Sequence, residues 1–192
     1  GYQICSNERL NALCLQCAEI VGLKKVPALY WGTLDNPICV TGAICPAIIM
    51  SKTVIVTGAS RGIGHAISLY YAKKGFNVCV CCHKNADMLD SLKDEIENIG
   101  ADCMTYVGNI GIFENAAEFF SLIKERFGKA DILINNAGIS YIGLLQDMTP
   151  SDWNNIITSN LTSVFNCCKL AIPIMLGSHE GKIINISSVW GC

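Results

Sequence analysis

Residues 50–192 are predicted to form a doubly wound α/β domain around a parallel sheet. Three observations carry this expectation. From Ser51 onward, strand-like and helix-like segments alternate with regular turn signals. The strand segments, such as TVIVT (53–57) and NVCVCC (77–82), are apolar along their whole length, as in strands covered on both faces. A helix-length segment follows each of the first four strands, so successive strands need crossovers and run parallel.

The elements follow in order. TVIVT is built mostly of β-branched residues and forms the first strand. Gly62 to Lys74 reads as a helix ended by Gly75. NVCVCC is the second strand. Ala86 to Asn98 is a helix with Leu89, Leu92 and Ile96 on one face. DCMTYV (102–107) is the third strand, and Phe113 to Phe127 is a helix closed by Gly128. DILIN (131–135) is the fourth strand. Pro150 opens a long helix expected to run to about Leu176. KIINIS (182–187) is the fifth strand.

The chain changes character at Met50. Residues 7–24 have a helical spacing of Leu10, Leu13, Cys14 and Cys17, while residues 27–47 hold three prolines, two glycines and no clear period. The expectation is that residues 1–49 lie outside the domain, as a leader, an appended segment or translated upstream sequence. A protease-resistant core that retained them would refute it. Net charge is −2, so no basic footprint invites nucleic acid. No uninterrupted apolar run reaches the roughly 18 residues of a membrane span. Twelve cysteines are many, but several sit inside strand and helix patterns and read as reduced, buried thiols of a cytoplasmic protein. Cys14-x-x-Cys17 lacks partners at zinc-site spacing, so no metal is expected.

The first strand runs straight into TGASRGIG (57–64), which opens a helix. Gly58 allows the tight turn, Gly62 lets the backbone approach a pyrophosphate, and Gly64 permits close packing of helix on sheet. The helix start, with Ser60, Arg61 and Ile63 around it, offers N–H groups and a positive dipole end to phosphate. A glycine cluster between a β-branched strand and a helix at the first βα turn is the signature of a dinucleotide site.

TGASRGIG, then NNAG (135–138), SNL (159–161) and INISS (184–188), occur in the order and near the spacings of the short-chain dehydrogenase/reductase family. The sequence resembles that family over residues 51–191, and most nearly its bacterial 3-oxoacyl-[acyl-carrier-protein] reductases. The resemblance implies a Rossmann-like fold and a reductase that passes a hydride to a carbonyl. The second strand ends in Cys81-Cys82-His83-Lys84-Asn85, without the carboxylate that commonly holds an NAD ribose. Arg61 resembles the family's basic residue for a 2′-phosphate, with His83 and Lys84 beside it, so NADP(H) is expected over NAD. Asn109 falls where the family touches adenine. Asn136, Ala137 and Gly138 are implied to line the cofactor side of the cleft. Ser188, with Ser187 as alternative, takes the place of the serine that holds the substrate oxygen, and Asn160 that of the asparagine supporting a lysine.

The family's Tyr-x-x-x-Lys would follow about a dozen residues past that serine, and the sequence given stops at Cys192. Tyr70 to Lys74 has the spacing but lies in the first helix, before the other motifs. The expectation is an incomplete domain with five strands, inactive alone, from an NADPH-dependent reductase of 3-oxoacyl thioester-type carbonyls. The alternative is a non-catalytic NADP-binding or scaffold protein on the same fold. The family implies a homotetramer for the full-length form.

Overall fold

The structure, a computed structural model, describes residues 51–188, together with the backbone of 30–33 and 36–39. The chain divides into two units, Gly1–Met50 and Ser51–Cys192. In the first, β1 (Tyr30–Thr33) pairs antiparallel with β2 (Asn36–Cys39), Thr33 opposite Asn36 and Tyr30 opposite Cys39. The sequence reading found no order here. Gly32 and Pro37, which face each other in the pairing, are poor strand formers. A two-stranded ribbon consists only of edge strands, where proline's missing donor is tolerated. The helix expected over 7–24 and the Cys14/Cys17 pair lie outside the described residues.

The second unit is a five-stranded sheet with helices on both faces. Its strands are β3 (Thr53–Thr57), β4 (Asn77–Cys82), β5 (Cys103–Val107), β6 (Ile132–Asn135) and β7 (Lys182–Asn185). They lie in the order β5-β4-β3-β6-β7 and every pairing is parallel. Helices α1 (Gly62–Lys73), α2 (Ala86–Asn98) and α3 (Phe113–Phe127) connect the strands. The strand order reverses between β3 and β6, which places a crevice at their C-terminal ends.

Strand alternation divides the core into two layers. Val54, Val56, Val78 and Val80 pack with Ala72 of α1 and with Leu89, Leu92 and Ile96 of α2. Ile55, Cys79, Cys81 and Leu133 face the other way, onto Ala116, Phe119 and Ile123 of α3 and Cys167, Ala171 and Met175 of the last helix. Side chains on both faces of the central strands thus bury against helices, which is why both faces of those strands had to be apolar. The described cysteines are all free thiols. Burial pushes Cys103 and Cys167 up to about 12, so both stay protonated near neutrality. Among the described residues no group of three or more His, Cys, Asp or Glu is placed to hold a metal.

The long helix spans the expected residues and holds one feature not read from the sequence. It starts as α4 (Pro150–Ile157), where Thr149 and Asp152 form a reciprocal capping box, and ends as α5 (Ser163–Gly177). Between them Thr158–Thr162 forms a π turn. Helical periodicity could not show this turn, because a π turn changes hydrogen-bond partners without interrupting the helix. Over Pro150–Gly177 the average apolarity and length would suffice to cross a membrane. Here the stripe Ser163, Asn166, Cys167, Ala171 and Met175 is buried within the unit.

Candidate nucleotide-binding and active site

The site begins at the end of β3. Gly58 turns the chain at φ +66°, and a Cβ there would stand 2.7 Å from the backbone of Ala137. Only glycine lets the two turns approach this closely. The Ala59 N–H then donates to Cys81 O, tying the loop to the end of β4. Arg61, extended and exposed, occupies the N-cap position of α1 but makes no side-chain capping bond. Gly62 follows at φ +62°, with open space where its side chain would be. Ile63 is 62% exposed beside it, while Ser60 is buried. At Gly64 a Cβ would meet Asn136 Nδ2 at 2.5 Å and Gly58 O at 2.6 Å, so this glycine sets the approach of helix to sheet.

The turn after β6 is clasped to this loop. Thr57 Oγ1 accepts from the N–H groups of both Asn136 and Ala137, each at 3.0 Å. Asn136 Nδ2 donates to Thr57 O at 2.9 Å and to Gly58 O at 3.1 Å. Asn135 Nδ2 donates to Asn185 Oδ1 at 2.9 Å, linking β6 to β7. These two asparagines therefore tie strands together. Thr57 was read from sequence only as a strand former. Its role as the clasp appears once β3 and β6 are known to be neighbours; the one local signal was a hydroxyl at the last strand position before a glycine turn.

Asn160 sits in the middle of the π turn and grips the loop beyond Gly138. Its Oδ1 accepts from the Ile139 N–H and its Nδ2 donates to Ile139 O, both at 2.8 Å. A Cβ on Gly138 would come within 3.5 Å of the same Oδ1. Both ends of the carboxamide are therefore committed to backbone.

The remaining predicted residues follow the C-terminal ends of the strands. His83 and Lys84 follow β4 and are exposed. Asn109 lies beyond β5, half-buried, its Oδ1 accepting from the Gly111 N–H at 3.0 Å. Ser187 and Ser188 follow Ile186, whose N–H donates to Asn135 O at 2.9 Å, and both serines are exposed. Tyr70 lies late in α1 and Lys74 caps its C-terminal end, Lys74 Nζ standing 5.7 Å from the Tyr70 ring. Eight residues of helix put Tyr70 roughly 12 Å from the glycine turn.

The geometry thus joins, at one crevice, a glycine turn, a helix start without a side-chain cap and a clasped Asn-Asn-Ala-Gly turn. A short chain dehydrogenase family profile matches residues 52–192. The chain belongs to the short-chain dehydrogenase family. It is 41% identical over 145 residues to the 3-oxoacyl-[acyl-carrier-protein] reductase of Staphylococcus aureus, covering 74% of this chain and 58% of that protein. The Thermotoga maritima reductase of the same name is 36% identical over 140 residues, covering 73% of this chain and 56% of that protein. A crystal structure of a metagenomic short-chain oxidoreductase in complex with NADP superposes with a TM-score of 0.70 at 31% identity, covering 74% of this chain and 64% of that one. The chain therefore spans somewhat over half the length of the curated relatives it matches. All three alignments cover an extent comparable to the second unit.

Proposed function

We propose that this chain carries the nucleotide-binding part of an NADPH-dependent reductase acting on a carbonyl of 3-oxoacyl thioester type. The observation that carries the reading is the start of α1. Arg61 leaves the first-turn amides without a side-chain cap, and the space above Gly62 is open. Those donors and the helix dipole fit a pyrophosphate. In this reading Gly58, Ser60, Gly62, Ile63 and Gly64 hold the pyrophosphate side. Arg61, His83 and Lys84 offer charge or hydrogen bonds to a 2′-phosphate, and Asn109 meets adenine. Asn136, Ala137 and Gly138 line the inner wall. The dinucleotide, when bound, supplies hydride.

Ser188 offers a hydroxyl to the substrate oxygen and holds it in place for reduction. Asn160 acts as a positioning residue: its side chain fixes the loop at Ile139 while the π turn redirects the backbone around it. We further propose that residues 1–49 lie outside the catalytic domain. The complete enzyme is read as a cytoplasmic homotetramer whose substrate is small or linked to acyl-carrier protein. The similarity to 3-oxoacyl-[acyl-carrier-protein] reductases supports the substrate class, and the unpaired described thiols fit the cytoplasmic setting.

Calorimetry with NADPH and NADH tests the cofactor. NADPH should bind at least about tenfold more tightly, and Arg61→Glu should abolish that margin by setting a carboxylate against the 2′-phosphate. Equal affinity of the unaltered chain for both nucleotides would overturn the proposal.

A further inference from the structure

We infer that Asn166 is a positioning residue for the adenine end of the dinucleotide. This rests on the cofactor reading above. Asn166 lies on α5, remote in sequence from every nucleotide-binding motif, and is 2% exposed. Its Nδ2 donates to Ile110 O at 3.0 Å and to Gly111 O at 3.2 Å. Both carbonyls belong to the turn that follows β5, the turn that carries Asn109.

That turn is held from three directions. Asn115 of α3 donates through Nδ2 to Asn109 O at 3.2 Å. The Gly108 N–H donates to Cys82 O at 2.8 Å, which fixes the turn to the end of β4. Asn109 Oδ1 closes the turn on the Gly111 N–H. A Cβ on Gly111 would stand 2.7 Å from Thr158 O, so the turn also presses on the first residue of the π segment. A carboxamide buried on a helix and spent on two loop carbonyls stabilises one conformation of that loop.

The position explains what such a loop would serve. Strands β3, β4 and β5 are adjacent, so at the usual strand spacing the end of β5 lies about 10 Å from the glycine turn. A nucleotide with its pyrophosphate at α1 and its 2′-phosphate beside His83 and Lys84 extends its base toward β5. The base then meets the 108–111 turn. Asn166 does not reach the base itself; it sets the loop that does.

The test measures binding of NADPH and of adenosine 2′,5′-bisphosphate, which lacks the nicotinamide half. Asn166→Leu removes the donor at similar volume. It should weaken both ligands by the same factor, about tenfold, since two carbonyls lose their partner and the loop relaxes. Asn115→Ala, at a less buried position, should weaken both in the same direction by about threefold. If the unaltered chain binds neither ligand, the cofactor reading fails and this inference with it. If it binds both and folded Asn166→Leu binds them equally well, only this inference fails. Loss confined to NADPH would also overturn it, because the effect would then lie at the nicotinamide end. Should Asn166→Leu not fold, unchanged binding by Asn115→Ala overturns the role of these struts.

Discussion

Strands β3 and β7 are alike in sequence and opposite in environment. TVIVT and KIIN are both short, apolar in the middle and polar at the last residue. Every residue of β3 is buried, and Ile55 is 0% exposed. Every residue of β7 is exposed, with Ile183 at 37% and Ile184 at 40%. The difference is position. β3 has strand neighbours on both sides and packs into both core layers, whereas among the described residues β7 pairs only with β6. An apolar strand sequence states what a strand can bury, and its neighbours decide what it does bury.

The largest expected effect lies in the centre. Ile55→Ala should cost roughly 2–5 kcal/mol of stability, read from urea unfolding, because the cavity would open between the sheet and α3. A cost near that of a surface substitution would break the contrast.

Alkaline pH sharpens it next. Cys103 and Cys167 belong to the buried layers, and burial raises both thiols from an ordinary value near 9.0 to about 12. Tyr106, stacked on Phe119, rises from 10.0 to about 12 through burial and its bond to Glu118. In each case the unfolded chain loses its proton first. The stabilisation is complete below pH 9 and declines as pH rises toward 12. The urea midpoint should therefore fall steadily between pH 9 and 11 at constant ionic strength. A flat profile there would mean that these groups are more hydrated than their burial indicates.

The smallest effect belongs to the edge. Ile184→Lys should change stability by less than about 1 kcal/mol, since the side chain is already exposed. It should nevertheless reduce self-association in light scattering, because a charge on an apolar edge strand opposes edge-to-edge pairing. A loss comparable to that of Ile55→Ala would place β7 in the core and erase the distinction.

Much of the second unit was legible in the sequence because its signals are local. The apolar runs marked the strands, and glycines at 75 and 128 marked helix ends, both at positive φ. The glycine loop needed only its own spacing and flanking strand to be recognised. The boundaries of the long helix were close, but the π turn at Thr158–Thr162 was not visible. Asn160 takes its place there by pairing with Ile139, 21 residues earlier. Thr57 and Asn166 escaped for the same reason: their partners lie 77 or more and 55 or more residues away, respectively.

By itself, the sequence determined which segments of the second unit are strands and helices, where the chain changes character at Met50, and where a glycine turn opens the first helix. Those features depend on side-chain branching, periodicity and glycine, which act within a few residues. The tertiary structure decided which apolar strand is buried, which hydroxyl clasps two turns, and where the last helix takes a π turn. Those outcomes depend on groups brought together by the order of strands in the sheet, and no local pattern in one chain segment encodes its neighbour's position.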